Sequence, residues 1–173
     1  RVRIEDGTEL EFDRVIIAAH ADEALAMLAA PDADQQRLLS AFRYQENTAT
    51  LHTDASVTPR AQRAWASWNY RVENQPGGGT RATTHYWMNA LQPLPTQTNF
   101  FVTLNPHREP AAGTIERDLS YDHPVFTPET ARVQRRMWSL QGRRNTWYCG
   151  AHFGAGFHED GLKAGLNAAR QLL

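Results

Sequence analysis

The stretch Trp147-Tyr-Cys-Gly-Ala-His-Phe-Gly-Ala-Gly-Phe-His-Glu-Asp-Gly-Leu-Lys-Ala-Gly-Leu-Asn-Ala-Ala-Arg170 constrains the fold more than any other part of the chain. An aromatic strand runs into a glycine-rich loop, which opens a helix with small residues at Ala164, Gly165, Ala168 and Ala169. Glycines at 150, 154, 156 and 161 let backbone approach a ligand closely. The first N–H groups of the following helix have no intrahelical partner, so they can face an anion or a polarised carbonyl oxygen. A strand, a glycine loop and a helix N-terminus together suit a large phosphate-bearing cofactor.

The 173 residues can form one domain or two small ones. With 18 basic and 19 acidic residues the chain has no nucleic-acid footprint. No apolar run is long enough to span a bilayer, and no signal peptide is visible, so a cytoplasmic location is expected. Cys149 is the single cysteine. It fits a reducing compartment, and its apolar strand suits buried packing over reactivity. The chain starts in what reads as mid-strand without an initiator methionine, as expected for a fragment of a longer protein.

Val2 and Ile4 alternate with Arg1, Arg3 and Glu5, and Asp6-Gly7 marks a tight turn, which predicts a hairpin over 1–12. Val15–Ala19 is a continuous apolar run, expected as a strand buried on both faces. Asp22 is the expected cap of a first helix, and a second begins near Asp32 and ends about Phe42. Thr48–Thr53, Trp65–Val72, Thr80–Leu91 and Asn99–Leu104 are rich in residues that suit a pleated, half-buried surface. Residues 42–122 therefore read as a mostly antiparallel sheet. Pro76-Gly-Gly-Gly-Thr80 is better read as a hairpin turn than as a phosphate loop, since strand-like residues flank it and no helix follows. Thr127-Pro128-Glu129 opens a helix to about Trp138; a short strand over 146–149 and a last helix from about Glu159 complete the chain.

The C-terminal string, Cys149-Gly150-Ala151-His152 then Gly156-Phe157-His158-Glu159-Asp160-Gly161 then Ala164-Gly165, resembles the flavin-containing amine oxidase superfamily. Asp6-Gly7 and Phe12-Asp13-Arg-Val-Ile-Ile-Ala-Ala19 are similar to the hairpin and strand preceding that family's second domain. More closely, the string resembles a branch of predicted NAD/FAD-binding oxidoreductases that often accompany fatty-acid-modifying methyltransferases. The resemblance implies an α/β (α+β) fragment of a two-domain, Rossmann-like FAD-binding fold with an antiparallel-sheet substrate domain. Residues 1–41 would belong to the FAD-binding domain and its connecting helices, 42–140 to the substrate domain, and 141–173 to the return into the FAD-binding domain.

The same resemblance implies non-covalent FAD held by Gly150, Ala151, His152, Gly156, Phe157, His158 and Glu159. Gly150 and Ala151 would pass under the ribityl–pyrophosphate, and the His158 N–H would face the flavin N1–C2=O edge. Phe157 occupies the place of one wall of an aromatic substrate cage, without the hydroxyl many members carry there; Trp87 is the second substrate-pocket candidate. The implied reaction is hydride removal from a C–N or C–C bond of a hydrophobic small molecule to flavin N5, with no residue here required as nucleophile or base. A carotenoid- or protoporphyrinogen-type desaturase would share the motif. The family's Gly-x-Gly-x-x-Gly is absent and would lie upstream of Arg1. The rival expectation is therefore a non-catalytic fragment or interaction module that cannot hold FAD without that loop.

Simpler readings accompany several residues. His152, His158, Glu159 and Asp160 match no common zinc spacing, so no metal is expected. Glu159 and Asp160 equally suit a helix N-terminus as favourable carboxylates. His20 ends a strand of the kind that borders cofactors, or is a polar strand end without a role. Trp65, Trp68, Tyr70, Tyr86 and Trp87 read first as core packing, with half of any strand's side chains facing outward. Lys163, the only lysine, is expected to face away from the site.

Overall fold

The computed structural model describes residues 1–75 and 77–172; Pro76, the first residue of the expected turn, and Leu173 lie outside the described residues. The chain divides into two units, 1–45 with 124–173, and 46–123.

The first unit opens with the expected hairpin, β1 (Val2–Arg3) against β2 (Glu9–Leu10), in antiparallel register Val2↔Leu10. Asp6 makes the turn by accepting the Thr8 N–H at 2.8 Å. β3 (Val15–Ile17) follows. It is not buried on both faces: Ile16 remains 40% exposed. Helix α1 (Ala21–Ala26) starts two residues earlier than expected. Its cap is His20, whose N–H is taken by the Glu23 carboxylate at 2.9 Å, while Asp22 lies inside the first turn. Helix α2 (Ala33–Leu39) begins with a reciprocal cap in which Asp32 and Gln35 side chains each accept the other's backbone N–H.

β4 (Arg43–His52) leads into the second unit. Its sheet also contains β5 (Trp68–Asn74), β6 (Thr80–Trp87), β7 (Phe101–Leu104) and β8 (Ile115–Val125). The spatial order is β5-β6-β7-β4-β8. The β5–β6, β6–β7 and β4–β7 pairs are antiparallel, with registers Trp68↔Tyr86, Tyr86↔Val102 and Leu51↔Val102. Gln75 N–H donates to Gly79 O at the β5–β6 turn. The expected strand over 80–91 stops at Trp87 and becomes a helical turn, α3 (Met88–Leu91). Asn89 enforces the bend by accepting the Phe100 N–H and donating to Thr98 O, both at 2.8 Å.

The chain re-enters the first unit through α4 (Pro128–Met137), capped by Thr127 with Pro128 at the first helical position. β9 (Thr146–Tyr148) pairs parallel with β3, Ile16↔Trp147. The outer edge of β9 is closed by Gln141, whose side-chain amide accepts from Tyr148 N and donates to Tyr148 O, both at 2.8 Å. Helix α5 (His158–Arg170) ends the unit. Leu38, Leu39, Met137, Leu140, Tyr148 and Ala168 form the centre of its core. The fold is α+β with a mostly antiparallel sheet. β3 and β9 pair in parallel, and a Rossmann-like sheet is not displayed.

Candidate functional site

Because β3 and β9 are parallel, their C-terminal ends emerge together, with Cys149 N–H donating to Ile17 O at 3.1 Å. The carboxyl ends of parallel strands are where loops of such units collect ligands. On the β3 side, Tyr44 stacks on His20 with ring centroids 4.4 Å apart and accepts the Ala21 N–H at 2.9 Å. On the β9 side, Gly150 has φ +154; a Cβ there would meet the His152 ring at 2.8 Å and the Ala19 carbonyl oxygen at 3.3 Å. The two strand ends are thus pressed together by a position that only glycine fits.

Ala151–Phe153 form a single 3-10 turn, and the loop 154–157 leads into α5. The Asp160 carboxylate shapes this loop, accepting the N–H groups of Ala155 and Phe157, each at 3.0 Å. Gly154 makes room for it: a Cβ at 154 would lie 2.3 Å from an Asp160 oxygen. Gln134, from α4, donates to the carbonyl oxygens of His152 and Gly154. Gly156 N–H closes back on Ala151 O at 3.2 Å. Asp160 therefore already engages two of the loop's N–H groups. The N–H groups of His158 and Glu159 remain at the first turn of α5, where the helix itself supplies no acceptor.

The loop residues differ in what they present. Gly156, Phe157, His158 and Glu159 are exposed, Phe157 by 59%. His152 is the reverse: its side chain is 4% exposed, packed edge-on to Phe42 and tilted against Phe153. Burial first, and then the neighbouring His20, push its imidazole down to about 4. Its Nε2 has no partner among the described residues. A ligand over the loop would meet His152 through backbone, not through its ring. Cys149 is buried and burial raises its thiol pKa, so it behaves as a packing residue. Glu159 pairs with Lys163 at 3.3 Å on the exposed side of α5.

Trp87 belongs to the second unit. It packs edge-on to Trp65 at 5.3 Å, and its N–H donates to Asn99 at 3.0 Å. Trp65 in turn packs on Phe101. Trp68 and Tyr70 lie on the opposite, open face of β5. Among the described residues no group of three or more His, Cys, Asp or Glu could hold a metal ion, and no helix is long and apolar enough to cross a membrane.

Sequence reasoning missed the part of Asp160 as the organiser of the loop and missed Gln134 and Tyr44 altogether. The capping position three residues after Phe157 was a readable signal for Asp160. Gln134 and Tyr44 act across long sequence separations and carry no local signature.

No family model matches the chain, and no curated protein matches it. Its fold is similar to that in the crystal structure of a CLA-producing fatty acid isomerase from P. acnes, with TM-score 0.52 and 14% identity. The match covers 93% of this chain and 42% of the isomerase, so the chain spans about two fifths of that protein's length.

Proposed function

We propose that this chain is part of an FAD-dependent oxidoreductase, of the amine oxidase or desaturase kind, that acts on a hydrophobic small molecule. The observation that carries the reading is the exposed loop 154–159 beside two parallel strand ends, opening a 13-residue helix whose first N–H groups are free of helix acceptors. The flavin-family resemblance of the same residues and the likeness in fold to a fatty acid isomerase support it.

The residues present fit such a cofactor. Gly150 and Ala151 carry no side chain larger than a methyl where the two strand ends meet. Asp160 holds the loop in its open shape and in doing so keeps its own charge satisfied within the loop. The His158 N–H is a fixed donor that needs no reorganisation to meet negative charge. Phe157 supplies an exposed aromatic wall. FAD, when bound, would supply the hydride acceptor for a C–N or C–C bond. Attachment would be non-covalent, since Cys149 is buried with a raised thiol pKa.

His158→Pro tests this reading. Proline is compatible with the first helical position, and Phe157 already has the extended conformation that a following proline requires (φ −92, ψ 162). The substitution removes one N–H and leaves the helix. The expected result, in the chain extended upstream of Arg1, is unchanged circular dichroism, about tenfold weaker FAD binding and a more negative flavin midpoint potential. Unchanged affinity and potential would contradict the assignment.

A further inference from the structure

The second unit holds two adjoining cavities beside the edge strand β5, of about 400 and 610 Å³, which share Val57, Arg71 and His85. Residues of the segment 56–66 line both. Asp54 caps its first 3-10 turn by accepting the Ser56 N–H, and Trp65 donates to Pro59 O at 2.7 Å. Both are of a size that ligand sites occupy.

The smaller cavity is rich in donors. Arg108 donates to Ser56 Oγ at 2.5 Å. Glu73 is the one carboxylate in the lining, and it is already engaged by Arg71 and by His107 at 3.2 Å. Asp54, close enough to Arg108 to feel its charge, turns its oxygens to the Ser56 and Ala111 N–H groups and does not line the cavity. Each guanidinium has five N–H donors, so donors remain on both arginines after these contacts.

His85 adds a donor whose direction follows from a buried relay. The Asp54 backbone N–H donates to His52 Nδ1 at 3.2 Å, so His52, neutral under burial, carries its proton on Nε2. That Nε2–H donates to Thr103 Oγ1 at 2.7 Å. The Thr103 hydroxyl then gives its own proton to His85 Nδ1 at 2.8 Å. Neutral His85 is therefore protonated on Nε2, and His85 is among the residues lining both cavities. The larger cavity continues past His85 along Val57, Pro59 and Ala64 of that segment, which are apolar, with Thr58 and Asn69 also in its lining.

We infer that this paired cavity binds an amphipathic carboxylate. Its head is held by Arg71, Arg108 and the His85 Nε2–H, and its apolar chain lies along Val57, Pro59 and Ala64. A carboxylate accepts without donating, which is what a donor-rich lining whose one carboxylate is already engaged requires. The inference stands on second-unit residues and needs no cofactor.

Isothermal titration of the 173-residue chain with octanoate, 1-octanol and acetate tests it. Octanoate is expected to bind at least about tenfold more tightly than either other probe. Arg108→Gln and Arg71→Gln, both exposed and away from the core, are each expected to weaken octanoate about tenfold while leaving 1-octanol unchanged. Ala64→Phe, which fills the apolar arm, is expected to weaken octanoate and spare acetate. Equal binding of octanoate and 1-octanol, arginine variants that bind like the parent, or no heat with any probe would each overturn the inference. Because no flavin is added, failure here leaves the cofactor proposal standing, and the reverse holds too.

Discussion

The residue with the largest structural leverage in the candidate site is Asp160. One carboxylate oxygen accepts two loop N–H groups, and the backbone at Gly154 is close enough to exclude any Cβ. Gly154→Ala therefore displaces the carboxylate and releases the two loop N–H groups it holds. The expected cost is about 1–3 kcal/mol, measured by chemical denaturation, because flanking backbone must move. His152 gives a second residue-scale prediction. Its folded pKa of about 4 lies below the ordinary histidine value of 6.5, so between those values the unfolded chain binds a proton that the native state refuses. Stability then falls as pH drops from about 6.5 toward 4, and His85, also held at about 4 by burial, steepens the fall. His152→Phe removes one contribution and an unpartnered buried nitrogen. Denaturation midpoints are expected to depend less on pH in this range for the variant, and an unchanged slope would refute the assignment.

At the scale of elements, what could be read from sequence was what local chemistry decides. The hairpin at Asp6-Gly7, the helix start near Asp32 and the Thr127-Pro128 helix start each depend on residues within four positions of one another, and each is present. Elements decided by distant neighbours were less legible. Ile16 reads as interior by composition, yet its exposure depends on what covers β3. β8 was not singled out because Arg117 and His123 interrupt the alternating Ile115, Leu119, Tyr121 and Val125, while Glu116, Asp118 and Asp122 fill the other face; as an edge strand it accommodates Pro124. The His52–Thr103–His85 relay joins three strands and has no sequence signal. In the site itself, the glycine loop and the start of α5 were legible as a motif, while the inward turn of the His152 ring was not. Helix α5 rests on small residues, with Ala164 and Ala168 essentially inaccessible. Ala168→Leu is therefore expected to destabilise the first unit by about 1–3 kcal/mol through overpacking, visible as a lower denaturation midpoint. A neutral result would mean the helix is docked more loosely than its burial implies.

At the scale of the molecule, the chain combines a unit that leaves and re-enters one core with an inserted, mostly antiparallel sheet. This arrangement is shared with a fatty acid isomerase at the level of fold, over 42% of that protein. Fold alone does not specify chemistry, so the functional account rests on the loop at the meeting of β3, β9 and α5. The most direct test is to express the chain extended upstream of Arg1, add FAD, remove the excess by gel filtration and record the visible spectrum. The account predicts protein-bound absorption bands near about 370 and 450 nm, a property of oxidised flavin. A folded protein that elutes colourless would contradict it and would make the glycine loop a structural remnant.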